Sequence, residues 1–127
     1  MKYLKICLIS IGIILGSQIC FASPKLSKET LLIELKKQNI HHPDIVLAQS
    51  LLETGHFKSK LCKNHNNLFG IRKNGKYVRY NSWIDSVADY KKSIQNKYRK
   101  GEDYYSFIKR IKYASDPNYI RKLKKLI

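Results

Sequence analysis

The spacing of apolar and polar residues predicts a first helix shortly after the N-terminal segment. Leu31, Leu32 and Leu35 recur at the interval that places side chains on one helical face. Ser27 precedes them as a residue able to cap the helix, which we expect to run to about Gln38. The apolar face indicates packing against another part of the same domain.

A second helix is predicted from Pro43, which suits a first helical turn, to Thr54. Gly55 follows as a natural left-handed stop. The helix is apolar around most of its circumference, because two of its faces carry residues suited to the protein interior. These are Ile45, Ala48, Gln49 and Leu52 on the first face, and Leu47 and Leu51 on the second. Such a helix is typically the buried central helix of a domain.

Residues 68–80 predict a β-hairpin, because Asn74-Gly75 is a strong two-residue turn signal between short strand-like segments. The preceding residues 57–67 predict a loop with one short helix. With helices on both sides, the pattern favours an α+β fold that is mostly α, with one small hairpin flanking the central helix.

Three further helices are predicted after the hairpin. Ser82 and Asp85 resemble a capping box that opens a helix to about Tyr98. Asp103 starts the next helix, with Tyr104, Phe107, Ile108 and Ile111 facing inward. Asp116-Pro117 predicts a cap and first-turn proline for the last helix. The buried face expected for the helix after Ser82 is Ile84, Val87, Ala88, Lys91 and Ile94.

Residues 1–22 have the features of a cleavable signal peptide. Lys2 and Lys5 form the basic start, residues 6–16 form the apolar core, and Cys20 and Ala22 are small residues at the −3 and −1 positions. We therefore expect export to the periplasm or the extracellular space, leaving one domain at residues 23–127. An uncleaved N-terminal anchor is the alternative interpretation.

The formal net charge is +16, which favours an anionic partner. Export argues against nucleic acid, and a lysine-rich solvated surface is an equally simple interpretation of the charge. Cleavage at residue 22 leaves Cys62 as the single cysteine, so no internal disulfide is expected. The basic C-terminal segment, residues 121–127, is compatible with weak membrane or wall-polymer contact, or with an ordinary solvated amphipathic face. We expect a monomer.

Glu53 is the strongest candidate for chemistry. It lies in the last turn of an otherwise apolar helix, just before Gly55. The negative end of the helix dipole and apolar surroundings both favour the protonated carboxyl group. A carboxylic acid that keeps its proton near neutral pH is the general acid that glycoside cleavage requires.

Several segments occur together in one order along residues 43–127. They are Ala48-Gln49, Leu52-Glu53-Thr54-Gly55, Asn66-Asn67-Leu68-Phe69-Gly70, Val78-Arg79-Tyr80, Ser86 with Asp89-Tyr90, and Tyr113-Ala114-Ser115-Asp116-Pro117-Asn118-Tyr119. In this combination they resemble the peptidoglycan N-acetylglucosaminidases of glycoside hydrolase family 73. Val78 departs from the family pattern, which has phenylalanine there. The resemblance implies a lysozyme-like fold and cleavage of the β-1,4 bond between N-acetylglucosamine and N-acetylmuramic acid in peptidoglycan glycan strands.

The resemblance assigns the general-acid role to Glu53 and makes Tyr113 the second candidate site residue. A tyrosine whose hydroxyl bonds to the backbone is an equal interpretation of Tyr113. No Asp or Glu occurs from Thr54 to Ile84, so the hairpin supplies no second carboxylate. We therefore favour a mechanism in which the 2-acetamido group of the substrate assists.

Substrate contacts are expected from aromatic rings that stack on sugars and from amides that bind N-acetyl groups. The candidates are Asn66, Asn67, Phe69, Tyr77, Tyr80 and Tyr119. Packing is the competing interpretation for Phe69 and Trp83, and turn geometry for the asparagines. Tyr77 and Tyr80 are three residues apart, so along a strand their side chains point to opposite faces. Only one of them is therefore expected to face the cleft.

We expect no metal and no cofactor, since His56, Cys62 and His65 have a spacing that matches no common zinc pattern. Two alternatives to the glucosaminidase activity stay open. The first is a lytic transglycosylase on the same fold. The second is a catalytically inactive module that binds the cell wall.

Overall fold

The computed structural model describes residues 22–127, so the predicted signal peptide, except for its last residue, lies outside the described residues. The described chain has an α+β fold that is mostly helical, as predicted. In chain order the elements are α1 (Lys28–Lys37), α2 (Pro43–Thr54), α3 (Lys60–His65), β1 (Arg72–Lys73), β2 (Lys76–Tyr77), α4 (Trp83–Ser93), a 3₁₀ turn (Gln95–Lys97), α5 (Tyr104–Arg110) and α6 (Tyr119–Lys124).

The ends of α1 and α2 are set by the residues that the sequence indicated. The Ser27 hydroxyl accepts a hydrogen bond from the Thr30 amide, and the Thr30 hydroxyl accepts one from the Ser27 amide. This reciprocal pair satisfies two amides at the start of α1. Pro43 begins α2, and Gly55 ends it with φ of 55°. Helix α2 packs against both α1 and α6, which makes it the central helix of the domain.

The hairpin is present but shorter than predicted. Strands β1 and β2 are antiparallel, with Arg72 opposite Tyr77 and Lys73 opposite Lys76. The turn Asn74-Gly75 has positive φ at both residues, as a tight hairpin connection requires. All four strand residues are exposed, so this hairpin is held in place by its flanking segments and not by burial of its own side chains.

Three details predicted for α4 are wrong. Ser82 occupies the cap position without a side-chain hydrogen bond, and the helix ends at Ser93 instead of near Tyr98. Its buried face is Trp83, Ser86, Val87 and Tyr90, one residue away from the predicted stripe, and Ala88 and Lys91 are exposed. Both stripes have helical spacing, and the one with the two large rings is buried because those rings remove more apolar surface from water.

Helix α5 begins at the predicted cap, since Asp103 accepts a hydrogen bond from the Ser106 amide. Helix α6 begins at Tyr119, later than predicted. Asp116 instead accepts a hydrogen bond from the Asn118 amide, and the Tyr119 amide bonds to the Asp116 carbonyl. Asp-Pro is also a β-turn signature, and here the turn forms in place of the first helical turn.

A chain of buried hydroxyl and amide groups joins α2 to α4 and α5. The Tyr90 hydroxyl donates to Gln49 Oε1 at 2.5 Å and lies 2.8 Å from the Tyr104 hydroxyl. The Gln95 amide donates to Tyr104 at 2.8 Å. These contacts hold the central helix in register with the aromatic core. Within residues 22–127, no helix is both long and apolar enough to span a bilayer.

Candidate active site

Glu53 lies in the last turn of α2, where the end of the helix is tightly held. The Thr54 hydroxyl donates to the Ser50 carbonyl at 2.6 Å and accepts from the Phe57 amide at 2.9 Å. Thr54 is fully buried, whereas Glu53 is half-buried. The helix end therefore presents the Glu53 carboxyl group from a rigid backbone toward a partly open surface.

The hydroxyl of Tyr119, at the start of α6, donates to Glu53 Oε1 at 3.0 Å. Burial raises the pKa of Glu53, because charge is disfavoured away from water, and the hydrogen bond from Tyr119 lowers it by a smaller amount. The net direction is upward, as expected for a group that must donate a proton. Burial and the neighbouring Glu53 in turn raise the pKa of Tyr119, so this hydroxyl stays protonated.

The second Glu53 oxygen faces the segment that leads into the hairpin. A Cβ atom at Gly70 would lie 3.4 Å from Glu53 Oε2, and Gly70 has φ of +66°. Both the close approach and the backbone conformation favour glycine at this position. The two carboxyl oxygens are therefore in different surroundings, one bound by Tyr119 and the other beside a glycine.

Tyr113 adjoins the same carboxyl group, but its hydroxyl donates to the Phe69 carbonyl at 3.0 Å. Its ring lies 5.7 Å from the ring of Tyr119. Burial, followed by the neighbouring Tyr119 and Glu53, raises the pKa of Tyr113 well above its ordinary value. The structure therefore supports the interpretation in which the Tyr113 hydroxyl bonds to the backbone. Tyr113 also lines the cleft around Glu53.

Two depressions with shared lining residues flank Glu53, and together they form the candidate cleft. They have volumes of about 460 and 390 Å³, within the range of ligand sites. The first is bordered by the segment from Tyr113 to Tyr119 and by Tyr77 on β2. The second is bordered by residues 69–71 and by Ser93 at the end of α4. Three residues line both: Glu53, Arg72 and Tyr113.

A separate depression of about 490 Å³ lies on another face of the molecule, between His41 and α4. Its polar lining consists of His41, Lys91, Lys92, Gln95 and Asn96. No carboxyl group of the described chain lines it, so these residues offer no general acid there for glycoside cleavage.

Asn66 and Asn67 do not face the cleft, in contrast to the prediction. Asn66 ends α3 with φ of 52° and donates to the Tyr80 carbonyl at 3.0 Å. Asn67 is fully buried; its side chain donates to the Ile71 and Val78 carbonyls and accepts from the Ile71 amide. Both side chains form hydrogen bonds to backbone groups at the base of the hairpin. This is the turn role of asparagine, the interpretation that competed with substrate binding.

Of the aromatic candidates, Tyr77 and Tyr119 line the first depression and Phe69 the second, whereas Tyr80 lines neither. Tyr77 is exposed and lines the cleft. Tyr80 is absent from the cleft lining, and its hydroxyl donates to Asp89 Oδ2 at 2.6 Å. Phe69 is buried against Tyr90 at a ring distance of 4.4 Å and is one of the residues that line the second depression. Trp83 is buried too, and its indole donates to the Pro24 carbonyl.

Four charged residues of the cleft, among those that the structure describes, were missed from the sequence: Arg72, Lys73, Asp116 and Lys122. Lys122 and Asp116 form an ion pair at 2.5 Å. The hydrogen bond from Lys122 and that from the Asn118 amide lower the pKa of Asp116. The hairpin register was a signal for Arg72, because it places Arg72 opposite Tyr77. Asp116 was interpreted as a helix cap, and that interpretation concealed its place in the cleft.

Among residues 22–127, no three His, Cys, Asp or Glu side chains are placed to hold a metal ion. Cys62, part of the histidine–cysteine pattern considered for zinc, is buried in the core. Burial raises the pKa of its thiol, which disfavours the thiolate that binds metals.

Comparison with known families gives one match. The family model named Glucosaminidase, described as mannosyl-glycoprotein endo-β-N-acetylglucosaminidase, matches residues 29–127. The match begins at the second residue of α1 and includes every later element and both depressions around Glu53. A comparison with curated proteins found no match.

Proposed function

Because the chain belongs to the glucosaminidase family of glycoside hydrolases, we propose that it cleaves the β-1,4 bond between N-acetylglucosamine and N-acetylmuramic acid in peptidoglycan, with Glu53 as general acid. The family makes the chain an endo-β-N-acetylglucosaminidase. The observation that carries the catalytic assignment is the Glu53 carboxyl group, half-buried at the junction of two depressions with its pKa raised by burial.

The two Glu53 oxygens are suited to different parts of the proton transfer. Oε1 accepts the Tyr119 hydrogen bond, so we assign the transferable proton to Oε2, beside Gly70. As the glycosidic C–O bond breaks, this proton passes to the leaving oxygen, which departs as a hydroxyl group. The Tyr119 hydrogen bond then stabilises the carboxylate that remains.

Among residues 22–127, the cleft lining contains one other carboxyl group, that of Asp116, which is engaged by Lys122 and by the Asn118 amide. A group held in this way is a poor nucleophile or base. We therefore assign the attack on the anomeric carbon to the acetamido oxygen of the substrate. Water later opens the resulting ring and returns a proton to Glu53.

Peptidoglycan as the substrate is supported by the ordered motifs of residues 43–127 and by the net charge of +16, which suits a polymer that carries carboxylates. The description of the family names mannosyl-glycoproteins, which also contain N-acetylglucosamine. The pattern of residues 1–22 supports export to the periplasm or beyond, where peptidoglycan is found.

The test is mass spectrometry of fragments released from purified peptidoglycan by the protein and by its Glu53→Gln variant. Loss of a general acid lowers the rate by about 100- to 10,000-fold. Glu29→Gln is the matched control, because Glu29 is an exposed glutamate in the first turn of α1. We expect reducing N-acetylglucosamine ends from the wild-type and Glu29→Gln proteins only.

Other products would identify the alternatives. Anhydro-muramic ends would show a lytic transglycosylase on the same fold. Binding to insoluble peptidoglycan without any release of sugar would show a cell-wall-binding module. A Glu53→Gln rate within about threefold of wild type would refute the general-acid assignment, because that role contributes far more.

A further inference from the structure

Arg72 has an unusual position in the cleft. It lies on β1, opposite Tyr77 on β2, at the point where the hairpin faces the end of α2. It lines both depressions, on either side of the general acid Glu53. Any sugar chain that crosses Glu53 from one depression to the other therefore passes this guanidinium group.

Among the described residues, the two other cations that line the cleft have carboxylate partners. Lys73 pairs with Asp89 at 3.0 Å, and Lys122 pairs with Asp116. Arg72 pairs with no carboxylate in the part of the chain that the structure describes. When Glu53 is protonated, Arg72 is thus the cleft cation whose charge is left uncompensated.

The guanidinium group is nevertheless held in place. Its central carbon lies 4.4 Å from the centre of the Tyr77 ring, a cation–π arrangement. Stacking on a ring leaves the edge N–H groups free to donate, and a planar guanidinium matches a carboxylate with two parallel hydrogen bonds. The cleft therefore presents an oriented carboxylate receptor beside the general acid.

We propose that Arg72 binds a carboxylate of the substrate glycan and thereby selects acidic glycan strands over neutral N-acetylglucosamine polymers. The inference rests on the proposed function, since it specifies the substrate of the same cleft. Peptidoglycan offers this group in two places: the lactyl carboxylate of muramic acid where the peptide is missing, and the acidic side chains of the peptide stem where it is present.

The experiment compares Arg72→Gln, Arg72→Lys and wild type on four glycans: strands with free lactyl carboxylates, the same strands converted to methylamides, strands with intact peptide stems, and neutral N-acetylglucosamine oligomers. Lys76→Gln is the matched control, because Lys76 lies on the same hairpin, is exposed and is absent from the cleft lining. Cleavage gives kcat/KM. Calorimetry of the same variants with Glu53→Gln added gives Kd without turnover.

We expect Arg72→Gln to lower affinity and kcat/KM about 10- to 100-fold on carboxylate-bearing strands, the range of a hydrogen bond to a charged group. The change on methylamide strands and neutral oligomers should stay within about threefold, because those ligands lack the recognised charge. Arg72→Lys should recover part of the loss, and Lys76→Gln should match wild type.

The four glycans distinguish the two possible sources of the carboxylate. A loss confined to peptide-free strands identifies the lactyl group, and a loss confined to stem-bearing strands identifies the peptide. An equal loss on neutral and acidic glycans overturns the inference. If no glycan is cleaved, the proposed function fails, while the binding arms still decide whether Arg72 distinguishes acidic from neutral strands.

Discussion

Replacement of Asn67 by alanine tests whether this residue holds the hairpin or contacts the substrate. The buried side chain makes hydrogen bonds of 2.9 and 3.0 Å to the Ile71 and Val78 carbonyls and one of 3.0 Å from the Ile71 amide. The Ile71 carbonyl keeps a partner in the variant, because it also accepts from the Val78 amide. The Ile71 amide and the Val78 carbonyl lose the partner described here.

The expected cost follows from this count. An intramolecular hydrogen bond contributes about 0.5–1.5 kcal/mol net, so three of them contribute about 2–4 kcal/mol. A domain of this size is stable by about 5–15 kcal/mol, so the loss is a large fraction of the total. In thermal unfolding the same loss lowers Tm by roughly 10–20 °C.

Urea unfolding of wild type, Asn67→Ala and Asn64→Ala measures the effect, with Asn64 as an exposed asparagine on α3. We expect a lower midpoint at unchanged slope for Asn67→Ala and no change for Asn64→Ala. KM, measured well below the transition, should stay near the wild-type value. A loss of stability under about 0.5 kcal/mol, below that of a single hydrogen bond, together with a raised KM would show that Asn67 contacts substrate instead.

Two further substitutions test the chemistry around Glu53. The general acid acts when protonated, so activity falls as pH rises through the pKa of Glu53. Tyr119→Phe removes the hydrogen bond that lowers this pKa, so the alkaline limb of kcat should move to higher pH while the maximal rate falls by about tenfold; a limb displaced to lower pH would contradict this. Asp116→Asn should cost less than about tenfold in kcat, because its ion pair with Lys122 is partly solvated. A loss above about 1,000-fold, measured on the same substrate, would identify Asp116 as a second essential carboxylate.

Local signals in the sequence were sufficient where one residue decides the backbone. Ser27 and Gly55 determine the start of α1 and the end of α2, and both were placed correctly. Asn74-Gly75 likewise determines the turn between β1 and β2, because few connections other than a tight two-residue turn have positive φ at both residues. The position of Glu53 at the end of a buried helix also followed from the sequence.

Features that depend on distant contacts were not predictable in this way. The buried stripe of α4 is decided by partners outside the helix: Tyr90 bonds to Gln49 and Trp83 to Pro24. The role of Asn67 depends on how closely the hairpin base folds around it. The hairpin register pairs Arg72 with Tyr77, but the position of this pair beside Glu53 depends on where the hairpin lies relative to α2, a tertiary relation that no local pattern contains.

The ties at the base of the hairpin determine how a polymer reaches Glu53. The first end of the hairpin segment is held by the hydrogen bond from Tyr113 to the Phe69 carbonyl and by the side chain of Asn67. The second end is held by the hydrogen bond from Asn66 to the Tyr80 carbonyl. A loop tied at both ends and through its interior does not swing open as a lid. We therefore expect a long glycan strand to enter the cleft sideways, without threading a free end, so that cuts fall within its length, as an endo-acting enzyme makes them.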